Sequence, residues 1–199
     1  MARLAPVLHA GDLPLAELCA ARLDGELVAV DEAFAPIDAR RGPEERAWAA
    51  GRFWPQRLIA DRATAAWIWG ATADPPARHQ LCASKDARAR PPVPARSSVR
   101  EVVIAADEYT LLGTVRVTTP LRTMVDLARF ATGFGASDVG AVRFLTAFGG
   151  VRLDDCRRAL DRRRNLPAKK LAWSRLSAVL DVDVLDEPGG SGGQPELTR

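Results

Sequence analysis

Basic side chains late in the chain form the densest group able to contact an acidic partner. Residues 152–175 contain nine lysines or arginines and three acidic residues, which gives a net charge of +6. Guanidinium groups bind phosphates and carboxylates, so this segment is a candidate surface for nucleic acid or an acidic protein. The alternative is a solvated helix face that Asp154, Asp155 and Asp161 partly neutralise. The candidate binding residues are Arg152, Arg157, Arg158, Arg162, Arg163, Arg164, Lys169 and Lys170.

The charge is segregated along the chain. The net charge is +3 overall, but residues 1–50 carry −4 and residues 52–100 carry +6. Binding to a DNA backbone depends on lysine and arginine at the phosphates. We therefore expect any nucleic-acid contact on the basic segments and not on the first fifty residues.

A metal-dependent nuclease is the sharpest enzymatic alternative, and the sequence disfavours it. Such sites need a carboxylate pair and a nearby lysine, often spaced Glu-x-Lys. The chain has three lysines, Lys85, Lys169 and Lys170, and none follows a carboxylate at that spacing. His9 and His79 are isolated, and no Ser/His/Asp set is suggested. We expect no catalysis, no metal, no cofactor and no small-molecule substrate.

The cysteines and tryptophans have structural interpretations. The three cysteines are widely spaced without a CxxC pair, so we expect buried thiols instead of zinc ligands; they are Cys19, Cys82 and Cys156. Trp67 and Trp69 are two positions apart and point to different sides of one helix. At least one is therefore expected in the core, and Trp69 or Trp54 is the better candidate for exposure.

A glycine pair at positions 133 and 135 could suggest a nucleotide-binding loop. It follows a predicted helix, 120–131, instead of a strand. A phosphate-binding loop requires strand, turn and helix in that order, so that the helix N-terminus receives the anion. We interpret the segment as a helix–helix connection.

A first structural unit is predicted over residues 1–42. Asp12 is a suitable N-cap for a helix, Gly25 is suitable as its C′ residue, and strands at 27–30 and 33–37 form a hairpin. The helix carries apolar residues at i, i+4 and i+8, which are Leu15, Cys19 and Leu23. The polar stretch 39–43 marks the boundary.

The second unit, 43–185, contains strands followed by helices. Thr119 and Pro120 are a strong signal for the start of a helix, because a hydroxyl at the N-cap is followed by proline at N1. The predicted strands are 79–83, 99–105, 109–112 and 115–118, with an exposed loop at 84–98. The predicted helices are 43–51, 62–69, 120–131, 137–148, 152–163 and 168–180. Residues 186–199 are rich in Gly, Pro and Ser and are expected to be disordered. The fold class is α+β: a helix-and-wing module, a small mixed sheet with covering helices, and a helical C-terminal part.

Two segments resemble the AbiEi family of type IV antitoxins. The first, residues 57–70 (RLIADRATAAWIWG), is a strand end that runs into a helix, and the second is residues 115–129 (VRVTTPLRTMVDLAR). Both are typical of the family's C-terminal domain and occur in the same order. The motif positions, which we interpret as structural, are Trp67, Gly70, Thr119, Pro120, Arg122 and Asp126. Arg122 and Asp126 are four apart, so we expect an i,i+4 pair with a bridge to a neighbouring strand; the alternative is a contact at a partner surface.

This resemblance implies a regulator of a toxin–antitoxin pair. Family members neutralise a nucleotidyltransferase toxin, repress their operon through an N-terminal winged helix that binds operator DNA, or do both. Here the helix and hairpin at 12–38 resemble the end of such a winged helix, so residues 1–42 are expected to be a truncated module. The alternative function is an orphan DNA-binding transcriptional regulator without a toxin partner.

The expected compartment is the cytoplasm, with no membrane partner. Residues 1–12 lack the pattern of a secretory signal, and no stretch approaches the ~18 apolar residues of a membrane span. Arginine greatly exceeds lysine and alanine is abundant. That skew is typical of a GC-rich genome, such as that of an actinobacterium.

Overall fold

A helix and a β-hairpin form the first unit. In the computed structural model, which describes residues 6–40, 42–86 and 92–183, they are α1 (Leu15–Leu23), β1 (Leu27–Val30) and β2 (Ala33–Pro36). β1 and β2 pair antiparallel. Gly25 follows α1 with a φ of 79°, the left-handed conformation expected of a glycine at this position. The predicted order of helix and hairpin is confirmed.

The second unit contains five strands and six α-helices within the described residues. Its strands are β3 (Ile59–Ala60), β4 (His79–Ser84), β5 (Ser97–Val102), β6 (Tyr109–Leu112) and β7 (Val115–Thr118). Its helices are α2 (Pro43–Gly51), α3 (Arg62–Trp69), α4 (Pro120–Phe130), α5 (Ala136–Gly149), α6 (Leu153–Asp161) and α7 (Lys169–Asp183), with a short 3₁₀ helix at Ala106–Glu108. The predicted α+β class is confirmed. The predicted disordered tail, 186–199, and positions 87–91 of the predicted loop lie outside the described residues.

The five strands form one mixed sheet in the order β5-β4-β3-β7-β6. β3 is the central strand and pairs parallel with β7 and antiparallel with β4. β4 and β5 are parallel, and β6 and β7 form an antiparallel hairpin. β3 has only two residues, so the sequence indicates it only as the strand end that precedes α3.

Helix α4 lies at the centre of the helical layer. Thr119 Oγ1 accepts a hydrogen bond from the backbone nitrogen of Arg122 (3.3 Å), and Pro120 occupies the first helical turn. The predicted helix start is therefore confirmed. α4 packs against α3, α5, α6 and α7 and buries Met124 completely. Full burial of such a side chain stabilises the fold by about 1.5–3 kcal/mol.

The apolar stripe predicted on α1 is not the face that the fold buries. Leu23 is 88% exposed, Leu15 is 57% exposed, and Cys19 is also exposed. α1 instead buries Leu18, which packs in one cluster with Leu8 and Leu27. The prediction was wrong because i+4 spacing identifies residues that share a helix face, but does not say which face the hairpin covers.

The predicted capping of α1 by Asp12 is also wrong. The N-cap is Pro14, and no side chain caps the helix. The Asp12 carboxylate accepts a hydrogen bond from the backbone nitrogen of His9 (2.9 Å) and forms an ion pair with Arg52 of the second unit. The Asp12 carboxylate therefore binds a guanidinium group that is distant in sequence instead of the start of the helix.

Buried polar contacts cross the boundary between the two units. His79 Nε2 on β4 lies 2.8 Å from Asp31 Oδ2 in the hairpin turn, and both side chains are almost fully buried. His9 Nε2 lies 3.2 Å from the carbonyl oxygen of Ala49 on α2. Arg96 pairs with Glu32 at 2.8 Å. The division into 1–42 and 43–185 stays a prediction, and these contacts are what a separation of the units would break.

Burial decides the roles of the tryptophans and cysteines. Trp67 and Trp69 are both buried, so the expectation that Trp69 is a candidate for exposure is wrong: its Nε1 donates to the carbonyl oxygen of Thr118 at 2.8 Å. Trp54 is half-buried, with its ring edge-on to His79. Cys82 and Cys156 are buried as predicted, whereas Cys19 is exposed, so the expectation of a buried thiol was wrong there.

Candidate functional site

A buried network of arginines and carboxylates centres on Asp126, in the second half of α4. Its Oδ2 accepts hydrogen bonds from Arg122 Nε (2.8 Å) and Arg100 Nη2 (2.7 Å), and its Oδ1 accepts one from Arg129 Nη1 (2.8 Å). Arg122 and Arg129 share a face of α4 with Asp126, whereas Arg100 comes from β5. The predicted i,i+4 pair with a bridge to a neighbouring strand is confirmed.

Two more carboxylates extend the network beyond α4. Arg100 Nε donates to Asp61 Oδ2 (2.6 Å), at the junction of β3 and α3. Arg122 Nη1 lies 2.9 Å from Glu108 Oε1, and Arg163 Nη2 donates to Glu108 Oε2. The network therefore connects the sheet, the 3₁₀ helix, α4 and the loop after α6.

Neighbouring guanidinium groups keep these carboxylates charged. Burial alone would raise the pKa of Asp126, but the positive charges of Arg122 and Arg100 offset it, so the pKa lies below its usual range. Burial likewise opposes ionisation of Glu108, and the Ala105 backbone N–H together with Arg122 lowers its pKa overall. The network is consequently ionic at neutral pH.

Of the seven residues in this network, the sequence singled out Arg122 and Asp126 as a pair and Arg163 as part of the basic surface, and it did not indicate the other four. Arg129 is three residues after Asp126, so helical spacing could have identified it. Arg100, Asp61 and Glu108 come from distant segments, and no pattern in one sequence indicates that they meet Asp126. Tertiary packing alone brings these three groups to α4.

The predicted basic surface lies on α6, the loop after it and the start of α7. Arg152, Arg164 and Lys170 are exposed, and within the described residues their side chains have no ion-pair or hydrogen-bond partner. Arg157 is exposed and its guanidinium carbon lies 5.5 Å from the centroid of the Trp173 ring. Arg158 is exposed and pairs with Asp155 on the same helix. With Arg162, which is also exposed, six of the eight side chains in the predicted set face solvent.

Arg162 and the remaining two basic side chains of that set hold acidic groups of the same chain. Arg162 Nη1 lies 2.8 Å from Asp107 Oδ2, and Arg163 pairs with Glu108, so both residues attach the loop after α6 to the 3₁₀ helix. Lys169 pairs with Asp161 at 2.7 Å. The structure therefore divides one run of positive charge into side chains that pair with a carboxylate of the same chain and side chains that do not.

The described regions hold no cluster of metal-ligand side chains, and two of the three thiols are buried. Within residues 6–40, 42–86 and 92–183, no three His, Cys, Asp or Glu residues come together to hold a metal ion. Burial raises the pKa of the Cys82 thiol, and it raises that of Cys156 to about 11, which disfavours the nucleophilic thiolate. Of the helices described, none combines the length and apolar character needed to cross a bilayer.

Comparison with known proteins identifies the central part of the chain. Residues 58–143 match the model of the AbiEi antitoxin C-terminal domain. These residues form an AbiEi antitoxin C-terminal domain. A search of curated proteins gives no match. Among solved structures, the chain resembles the crystal structure of the RV2827C protein from Mycobacterium tuberculosis, with 19% identity and a TM-score of 0.46 over 89% of this chain and 72% of that chain.

The motif residues of the AbiEi domain build its framework. Trp67 is buried on α3, and Gly70 ends that helix with a φ of 95°, a left-handed conformation that favours glycine. Thr119 and Pro120 start α4, and Arg122 and Asp126 tie it to the sheet through Arg100. The domain supports an antitoxin role in a toxin–antitoxin pair and favours a regulator over an enzyme. The exposed basic surface on α6 and α7 lies entirely after the matched residues.

Proposed function

We propose that this protein is the antitoxin of a type IV toxin–antitoxin pair and neutralises a nucleotidyltransferase toxin by binding it. The observation that carries this proposal is the AbiEi antitoxin domain at residues 58–143. That toxins of this family are nucleotidyltransferases comes from the family resemblance. No cofactor takes part, and the action is regulatory rather than enzymatic.

The exposed basic side chains of α6 and α7 are the proposed contact surface. Arg152, Arg164 and Lys170 are free of partners within the described chain and exposed to solvent. An acidic surface on the toxin would satisfy these donors at little cost, because they are already exposed and have no ion pair to break. The first unit, with its net acidic charge, is the less suitable surface for such a partner.

Co-expression tests this function. The protein is produced together with a nucleotidyltransferase encoded by a neighbouring gene, and growth is compared with expression of the toxin alone. We expect the wild type to restore growth and to co-purify with the toxin, and we expect charge reversal (Arg152→Glu, Arg164→Glu, Lys170→Glu) to weaken both effects. Failure of the wild type to rescue growth would exclude neutralisation by this protein.

A control separates the contact surface from general charge effects. Arg22 lies exposed on α1, and Arg22→Glu reverses one charge at a position far from α6 in sequence. We expect this variant to rescue growth like the wild type. Rescue by the triple variant with loss only in the Arg22 variant would place the toxin contact on the first unit.

Operator DNA is the second candidate partner of the same surface. The arginine and lysine side chains without partners are the groups that release counterions when they meet phosphates. We infer that repression of the operon, or transcriptional regulation as an orphan protein if no toxin gene is adjacent, uses α6 and α7 instead of the acidic helix and hairpin.

A salt titration with DNA from upstream of the protein's own gene tests this placement. Each phosphate contact contributes a slope of about −0.9 to the dependence of log affinity on log salt concentration. We expect the variant with Arg152→Gln, Arg164→Gln and Lys170→Gln to bind more weakly and with a flatter slope. Arg162 and Arg163 are left unchanged, because they hold Asp107 and Glu108. Unchanged affinity and slope in this variant, with loss in Arg22→Gln, would return the contact to the winged-helix-like unit.

A further inference from the structure

A cleft of about 310 Å³ lies above the Asp126 network, between the end of β5, α4 and the loop that joins α6 to α7. Its lining is dominated by basic side chains around one aromatic ring. The basic and aromatic residues of this lining are Lys85, Arg100, Arg122, Arg129, Phe130 and Arg163. The cleft is distinct from the exposed basic surface of α6, because Arg163 is the one residue of the predicted basic set of eight that lines it.

The guanidinium groups of the cleft are held in place by their surroundings. The guanidinium carbons of Arg100 and Arg129 lie 4.6 and 4.4 Å from the centroid of the Phe130 ring. Arg129 Nε also donates to the carbonyl oxygen of Pro167 at 2.9 Å. Donors fixed in this way lose little conformational entropy when a ligand binds.

Positive charge exceeds negative charge around the cleft. Among the described residues, the cationic side chains that line the cleft are Lys85, Arg100, Arg122, Arg129 and Arg163, and the carboxylates are Glu101 in the lining and the ion-pair partners Asp61, Glu108 and Asp126. Five cations against four carboxylates leave one positive charge. Burial lowers the pKa of Arg129, and repulsion by Arg122 and Arg100 adds to that effect.

The arginines of the cleft also have more N–H donors than the carboxylates of the chain can bind. The side chain of Arg122 is 6% exposed, and its Nη1 lies close to Glu108 without the geometry of a hydrogen bond. Both Asp126 oxygens already accept guanidinium donors. The five N–H donors of each guanidinium therefore outnumber the acceptors that the carboxylates supply.

We propose that this cleft is a binding site for a phosphate dianion, either free orthophosphate or the terminal phosphate of a small nucleotide. A phosphate monoester carries about −1.5 to −2 charge and three acceptor oxygens, so the positive surplus of the cleft attracts it and its oxygens can accept from the guanidinium donors that the carboxylates leave unused. A carboxylate supplies one charge and two oxygens, and a phosphodiester supplies one charge per phosphate. This proposal does not rest on binding of a toxin or of DNA.

Two adjacent arginines offer a matched test. Arg163 lines the cleft and pairs with Glu108, whereas Arg162 lies outside the cleft lining and pairs with Asp107. Arg163→Gln and Arg162→Gln make the same chemical change at neighbouring positions, and each removes one ion pair to the 3₁₀ helix. Arg100, Arg122 and Arg129 are unsuitable for the test, since each neutralises the buried Asp126.

Isothermal titration calorimetry on the full chain measures the binding of orthophosphate, AMP and uncharged adenosine. We expect orthophosphate and AMP to bind the wild type with a Kd of about 1 mM or lower. Arg163→Gln should weaken both by about tenfold, the effect of losing one charge-assisted hydrogen bond, while Arg162→Gln changes them by less than about twofold. Lys85→Gln, at the exposed mouth, is the second variant if Arg163→Gln does not fold.

The measured affinities distinguish free phosphate from a nucleotide as the ligand, and they also show whether the cleft binds phosphate at all. Equal affinity for orthophosphate and AMP indicates free phosphate as the ligand, and much tighter binding of AMP indicates a nucleotide; either result supports the site. Adenosine binding as tightly as AMP would overturn the proposal, because the phosphate would then contribute nothing. Equal losses in the Arg162 and Arg163 variants, or no binding of either anion, would overturn it as well.

Discussion

The arginines around Asp126 and the arginines of α6 occupy opposite environments. Arg100, Arg122 and Arg129 share one carboxylate that is 0% exposed. Arg158, by contrast, is 67% exposed, and its ion pair lies at the surface. Removing one partner of a buried pair leaves a charge without compensation in a medium of low dielectric constant, whereas water replaces a surface partner readily.

This difference shows that charge density along the sequence does not measure structural importance. The run at 152–170 has the highest density of basic residues, yet six of its eight candidate side chains face solvent. The buried ion pairs are instead formed by single arginines that lie far from this run in the sequence. We therefore expect substitutions at Asp126 to affect stability, and substitutions on exposed parts of α6 to affect partner binding.

The largest expected effect is that of Asp126→Ala. The substitution leaves three buried or half-buried guanidinium groups without their shared counter-ion, so the free energy of unfolding should fall by about 3–5 kcal/mol. Chemical denaturation monitored by circular dichroism measures the change. Arg158→Ala, which breaks the surface pair with Asp155, is the control and should leave the midpoint unchanged. Similar losses of unfolding free energy in the two variants would show that the buried network and the α6 surface do not differ in their contribution to stability.

Asp31→Ala tests an intermediate case, a buried polar contact across the boundary of the two units. His79 loses its partner at 2.8 Å, and leaving a buried donor unsatisfied costs about 1–3 kcal/mol. Asp31 has a φ of 54°, a conformation that asparagine tolerates better than alanine, so Asp31→Asn should restore part of the stability. Hydrogen exchange should show the loss first in residues 6–40. Uniform loss of protection throughout the chain would indicate one cooperative unit and contradict the division at residue 42.

Acid should destabilise the protein through the buried carboxylates. The pKa values of Asp126 and Glu108 are lower in the folded protein than usual, so the unfolded chain binds more protons and stability falls as pH falls. Their contribution should be complete above about pH 5 and be lost as the pH drops from about 4.5 through the depressed folded values, at about 1.4 kcal/mol per pKa unit. Denaturation midpoints measured from pH 7 to pH 3 give this curve. Glu108→Gln should make stability depend less on pH. An equal slope in that variant would show that Glu108 does not contribute to the loss of stability in acid.

The smallest expected effect is that of breaking the exposed Arg162–Asp107 pair. Arg162→Ala should leave the melting temperature unchanged, since both side chains are at least half exposed and solvent screens their attraction. Added salt sharpens the comparison, because the Debye length falls from about 10 Å at 0.1 M to about 3 Å at 1 M. The loss caused by Asp126→Ala should persist in 1 M salt. A large, salt-sensitive loss in Arg162→Ala would show that this surface pair holds the loop after α6 in place.

Local patterns in the sequence predicted most of the elements. Helices 43–51 and 62–69 and strands 109–112 and 115–118 have the predicted bounds, because their caps, turn residues and apolar periodicity act within a few positions. The two-residue strand β3 carries little periodicity, yet it is the central strand of the sheet. The face of α1 was predicted wrongly for the related reason that helical spacing does not identify the packing partner.

By itself, the sequence determined the AbiEi antitoxin domain, the α+β class and the start of α4 at Thr119 and Pro120. These properties rest on motifs and on interactions between residues near one another in the chain. Only the tertiary structure decided that Arg100, Asp61 and Glu108 join Asp126, and which of the late basic side chains remain open to a partner. An ion pair between distant segments depends on the packing of the intervening elements, and that packing is a property of the whole fold.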